Sequence, residues 1–161
     1  MSLKNKILLA FIYCVFSFGC REKVTPDMPP FDLLLPDSTT ILNSNQIPIG
    51  KPIMLFYFSP DCEHCQQETE ILLKNISSLK DVRMYFITDD PFDRMKVFNE
   101  YYRLVNYSNI IIGRDYNFGI YRYFKMPITP FIVLYNTNKE SRVLLKGPFP
   151  ASRIIEEVHK L

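Results

Sequence analysis

The chain has no tryptophan and only two histidines, His64 and His159. It has a single Cys-x-x-Cys pair, Cys62 and Cys65, and no second one. Structural zinc normally takes four ligands, often as two separated pairs, so a metal role for this pair has almost nothing to complete it. Charge of one sign is also missing. The formal +2 is accounted for by Lys4 and Lys6, and the rest of the chain is near neutral with no Lys/Arg block, so nothing points to nucleic acid. Beyond the N-terminal region there is no internal repeat and no low-complexity segment. The 14% aromatic content falls mainly on apolar runs and amphipathic stretches, which reads as core packing.

The longest apolar run, Ile7 to Phe18, comes after Lys4 and Lys6 and has signal-peptide length, too short for an ordinary transmembrane helix. It closes on Gly19-Cys20. A small residue before a cysteine at that place resembles a bacterial lipobox, although Ser17 and Phe18 stand where a Leu and a small residue are usual. The resemblance implies cleavage before Cys20 and lipid on it. Cys14 would leave with the signal, and Cys62 and Cys65 would be the remaining thiols. An uncleaved anchor or an ordinary signal peptide is the competing reading. The expected organisation is a lipoprotein signal peptide over 1–19, a tether and N-terminal edge segment over 20–45, and one domain over 46–161.

Within the tether, MPPFDLLLPDSTT has little periodicity, and an edge strand is expected near Thr40 to Asn43. IMLFYF, 53–58, is apolar at consecutive positions, as in a strand buried on both faces. From Cys62 to Leu79 the residues Ile71, Leu72, Ile76 and Leu79 recur at helical spacing. VRMYFIT (82–88), NIII (109–112), FIVLY (131–135) and RVLL (142–145) read as strands. Helices are expected from Pro91 to about Leu104, over 115–124 and over 151–161. Strands alternating with helices predict an α/β fold with a mainly parallel sheet covered on both sides, closed by an antiparallel hairpin.

The cysteine pair sits where a central strand turns into a helix. Residues i and i+3 on a helix are neighbours, close enough for a disulfide. The first turn offers unpaired backbone N–H groups and the positive end of the helix dipole, which stabilise a thiolate, the attacking species in disulfide exchange. Cys62, nearer the helix end, is the expected nucleophile, Cys65 the resolving thiol, and Asp61 the expected helix cap. His64 would favour a thiolate at Cys62 and Glu63 would oppose it. Half of a zinc site and a static structural disulfide are the competing readings of the pair.

The βα junction with CxxC and the Thr-Pro before a late strand together resemble thioredoxin-fold thiol–disulfide oxidoreductases, and GKPIMLFYFSPDCEHC with MPITPFIVLY is similar to the membrane-tethered TlpA/ResA-like branch. The likeness covers about residues 45–161. It implies a thioredoxin-like fold with a central mixed sheet flanked by helices on both faces. It also implies a cis proline beside the cysteines, placed at Thr129-Pro130 as substrate-binding residues, with Pro127 the competing candidate. The tryptophan usual before the first cysteine is absent. The buried acid that thioredoxin keeps six residues before that cysteine is here Phe56, and Glu63, Glu68 or a nearby water is left to substitute for it.

Asp89, Asp90 and Asp93 read as helix caps. Tyr121, Tyr123 and Phe124 read as core or groove rim, and His159 as a dipole-favoured helix end. The functional expectation is a periplasm-facing, lipid-anchored thiol–disulfide oxidoreductase. It would exchange a Cys62–Cys65 dithiol with protein substrates, in the reducing direction first, and be served by a membrane electron donor or acceptor. No metal or organic cofactor is expected. A disulfide-donating oxidase and a tethered binding module with incidental cysteines are the alternatives. A peroxide-reducing enzyme would need a threonine where Phe58 stands.

Overall fold

The computed structural model describes residues 28–125 and 128–161. The expected signal peptide over 1–19, the lipidated Cys20 and the competing Pro127 lie outside the described residues. In chain order come β1 (Asp32–Leu34), β2 (Ile41–Asn43), β3 (Ile53–Tyr57), α1 (Glu63–Lys74), β4 (Arg83–Thr88), α2 (Phe92–Tyr102), β5 (Ile110–Arg114), α3 (Gly119–Phe124), β6 (Phe131–Tyr135), β7 (Ser141–Lys146) and α4 (Ala151–Val158).

The strands form one sheet in the order β2-β1-β5-β4-β3-β6-β7. It is mixed, and the expected predominance of parallel pairing is corrected. Only β3 with β4 and β4 with β5 run parallel, whereas β6 lies antiparallel to β3, β7 to β6, and β1 to both β2 and β5. The reversal arises in the connection before β6. The short α3 packs on the face opposite α1 and does not make the full crossover that a parallel neighbour of β3 would require.

All five residues of β3 and of β6 are buried, as consecutive apolar positions require of central strands. Their side chains alternate between two cores. Met54, Phe56, Ile132 and Leu134 meet Leu72 of α1, Met95 and Phe98 of α2 and Ile154 of α4. Ile53, Leu55, Tyr57, Phe131 and Val133 face Ile120 of α3 together with Phe31, Leu33 and Ile47. The second face therefore depends on the N-terminal segment. The edge strand expected near Asn43 is present as β2. Its neighbour β1 falls in the expected tether and has no strand signal of its own, because its three residues are hemmed in by Pro29, Pro30 and Pro36.

Two local devices hold this second face. The buried carboxylate of Asp115 accepts hydrogen bonds from the N–H groups of Gly119 (2.8 Å) and Ile120 (2.9 Å) and fixes the start of α3. Burial pushes its pKa up, and those donors oppose the shift. The other is Gly113 in β5, where β1 crosses. A Cβ there would stand 2.7 Å from Leu33 Cβ and 3.4 Å from the Leu34 carbonyl oxygen. Gly113→Ala should cost about 1–3 kcal/mol by forcing β1 off the sheet. Urea unfolding measures this, and an unchanged midpoint would mean that β1 gives way freely.

Candidate active site

Beyond β3, Phe58 stays tied to β4 through its N–H to the Ile87 carbonyl (2.9 Å), and Ser59 to Asp61 turn the chain into α1. Cys62 is the N-cap residue, in extended conformation, and its Sγ accepts from the Cys65 N–H at 3.4 Å. The Cys62 N–H bonds the Ser59 carbonyl at 3.1 Å, and the Gln66 side-chain amide bonds the Pro60 carbonyl at 2.8 Å, so the turn is pinned on both sides. The expectation that Asp61 caps α1 is corrected. The sulfur of Cys62 occupies the cap position, and the Asp61 carboxylate pairs with the guanidinium of Arg94 on α2.

The antiparallel register places Phe131 opposite Tyr57, so the residues entering β6 face those leaving β3. The Thr129-Pro130 bond is cis, as the resemblance implied. Pro130 is buried, and its carbonyl accepts from the Gly147 N–H at 2.9 Å. The Thr129 carbonyl faces the cysteines and takes the Cys62 thiol at 3.8 Å, long but within reach for sulfur. Cys62 thus lies between a backbone donor that can hold negative charge and a backbone acceptor that can hold its proton.

Both cysteines are free thiols in unequal surroundings. Cys62 is half-buried and Cys65 has no exposed surface. Burial, reinforced by the neighbouring Cys62 thiol, pushes the Cys65 pKa up to about 12. One turn further along the same face stands Glu68, itself 2% exposed. Its Oε2 accepts from the Phe149 N–H at 3.3 Å, while its Oε1 is buried and unpartnered. Burial raises its pKa, against the smaller opposing effect of that hydrogen bond. Phe56 is plain core, edge-on to Phe86 with ring centroids 4.9 Å apart. The buried acid of this site therefore comes from the helix and not from β3.

Glu63 and His64 are both exposed on the first turn, and the Glu63 carboxylate accepts from the Gln67 amide at 3.1 Å. The capping expected of the aspartates after β4 is corrected too. Pro91 precedes α2 with no side-chain cap, Asp93 only adds charge to its first turn, and Asp90 bonds back to Thr88. Tyr121 and Tyr123 are rim residues, each 44% exposed, while Phe124 packs on Phe131 in the core. His159 ends α4 as its C-cap residue. Arg94 carries no local signal in the sequence, since its partner lies 33 residues away. Glu68 does carry one. It shares with Cys65, Thr69 and Leu72 the helical spacing of a buried face.

No protein-family model and no curated protein matches the chain. Solved structures do. A secreted Mycobacterium tuberculosis disulfide oxidoreductase, described as homologous to E. coli DsbE, superposes with a TM-score of 0.68 at 19% identity over 81% of this chain and 96% of that one. The dsbF protein of the same organism gives 0.71 at 17% identity over 85% and 98%. A Plasmodium vivax 2-Cys peroxiredoxin gives 0.67 at 14% identity over 84% and 80%. Backbone agreement of this extent, with the cysteine pair at a strand-to-helix turn beside a cis proline, shows that the chain has a thioredoxin-like fold.

Proposed function

We propose that the protein is a thiol–disulfide oxidoreductase acting on protein substrates, with Cys62 as nucleophile and Cys65 as resolving thiol. The observation that carries this reading is the inequality of the pair. One sulfur is reachable and holds a helix N–H, and the other is sealed beneath it, one helical turn from a buried carboxylate. The Cys62 thiolate attacks one sulfur of a substrate disulfide, forming a mixed disulfide and releasing a substrate thiolate. Cys65 then gives its proton to Glu68 and attacks the Cys62 sulfur. The Cys62–Cys65 disulfide forms, the second substrate thiolate leaves, and the proton passes to it. Two electrons have moved to the substrate.

We propose the reducing direction; what decides it is how far the Cys62 thiolate is stabilised, since strongly oxidising pairs are those whose reduced form is stabilised. Glu63 and His64 would then adjust Cys62 from the solvent side. The Thr129 and Pro130 backbone would receive the substrate strand. Return to the dithiol needs a thiol or membrane electron donor, which fits a periplasm-facing protein anchored through lipid on Cys20. That last part rests on the N-terminal sequence alone.

Cys62→Ser should abolish reduction of insulin disulfides. Cys65→Ser should instead accumulate a mixed disulfide visible as a mass shift under non-reducing conditions. Turnover by Cys62→Ser equal to the unaltered chain would leave the tethered binding module as the reading. A Cys62–Cys65 midpoint near the oxidising end of graded glutathione buffers would make the protein a disulfide donor.

Glu68→Gln should slow the second step by about a hundredfold near neutral pH, with the deficit narrowing as pH rises and Cys65 ionises unaided. The same substitution has a signature in stability. A carboxyl whose folded pKa is raised contributes stability below its unfolded value of 4.5 and loses it as pH climbs through the folded value. Unfolding curves should therefore show the unaltered chain falling relative to Glu68→Gln as pH rises above 4.5. Parallel pH profiles would mean that Glu68 is not a buried titrating acid.

A further inference from the structure

A groove of about 450 Å³ opens between α1 and α2, walled at its near end by Pro60 and Asp61, the two residues immediately before Cys62. Its floor is rigid. Phe98 stacks on Phe58 with centroids 4.4 Å apart and on Tyr102 at 4.6 Å, and the Tyr102 hydroxyl donates to the Gln66 carbonyl at 3.5 Å, tying the two helices together. Its outer lip is apolar and uncovered. Val97 and Tyr101, one helical turn apart, are 65% and 76% exposed.

The unpaired charge along the groove is of one sign. Asp61 is neutralised by Arg94, but Glu70 and Asp93, which also line it, have no ion-pair partner among the described residues. An apolar lip with two unpaired carboxylates complements a segment that carries an apolar side chain beside a lysine or arginine. A chain held there lies against the two residues that precede Cys62.

We propose that this groove docks a basic, apolar-tipped segment of the protein whose disulfide Cys62 attacks. An aliphatic or aromatic side chain would lie against Val97 and Tyr101, and a cation would lie against Glu70 and Asp93. The proposal rests on the exchange reading above and adds to it the charge class of the substrate. The Thr129-Pro130 backbone, which does not line the groove, would receive an extended strand whatever its sequence. The groove discriminates among such strands by side chain.

The test uses the full chain in neutral detergent and three probes. Two are synthetic peptides with one internal disulfide each, bearing Leu followed by two Lys or by two Glu. The third is hydroxyethyl disulfide, too small to reach the groove. Each peptide rate is divided by the same protein's rate with hydroxyethyl disulfide, so any damage to the cysteines cancels. At low salt the lysine peptide should be preferred about tenfold, the scale of two surface charge pairs, and added salt should erode the preference. Glu70→Lys with Asp93→Lys should invert it. Val97→Ser with Tyr101→Ser should lower both peptides alike.

Equal normalised rates in the unaltered chain, or a preference for the glutamate peptide, would overturn the docking proposal. If hydroxyethyl disulfide itself is not reduced, the exchange reading fails on its own. Fluorescence anisotropy of the labelled peptides then decides the groove separately. Tighter binding of the lysine peptide upholds the docking site, and equal binding removes it.

Discussion

The antiparallel pairing of β6 with β3 is the constraint on which the site depends. Were β6 parallel to β3, its first residues would lie at the opposite end of the sheet from the turn that carries Cys62. Because it runs the other way, Phe131 pairs with Tyr57, and the cis Thr129-Pro130 bond is delivered to the helix start. The same pairing fixes the Gly147 N–H on the Pro130 carbonyl, so β7 buttresses the proline loop from behind. The full burial of both strands specifies this register, since a slip by one residue would exchange the contents of the two cores.

On that frame the helix start separates two chemically identical side chains by depth alone. Cys62 takes the capping position and remains in reach of solvent. Cys65, one turn in, is sealed against Phe58 and its neighbours in the core. The carboxylate that a core of this kind should exclude is retained at Glu68, held on one oxygen by the Phe149 N–H and left open on the other. A buried acid with a free acceptor is costly to keep, and under the exchange proposed above its place one helical turn from Cys65 gives a reason for keeping it.

Much of this is legible in the residues. The unbroken apolar runs at 53–58 and 131–135 mark central strands because only burial on both faces tolerates them, and the helical spacing over Cys62 to Leu79 marks α1, although α1 ends at Lys74 and Ile76–Leu79 form a separate 3-10 turn. Three things are not legible. The direction of β6 is set by the connection before it, whose six-residue helix does not carry the chain back to the other end of the sheet, and strand composition does not encode that. β1 is three residues among prolines, and only its pairing with β2 and β5 reveals it as part of the sheet. Asp61 resembles a cap because capping is a local rule, yet its partner Arg94 comes from the next helix. The cis proline is placed through family resemblance, and Glu68 is visible only as one of two candidate acids.

The sheet order leaves β2 and β7 as the outer strands, and neither invites another chain to add alongside. β2 is three residues long. β7 presents Arg142 and Lys146 to solvent and is offset from β6 by an irregularity at Leu134 and Tyr135 that disturbs its ladder. Short, charged and irregular borders of this sort suppress edge-to-edge aggregation. If the exchange proposed above is the protein's work, borders of this kind guard it against being zipped through its own backbone onto the partly unfolded chains it would meet.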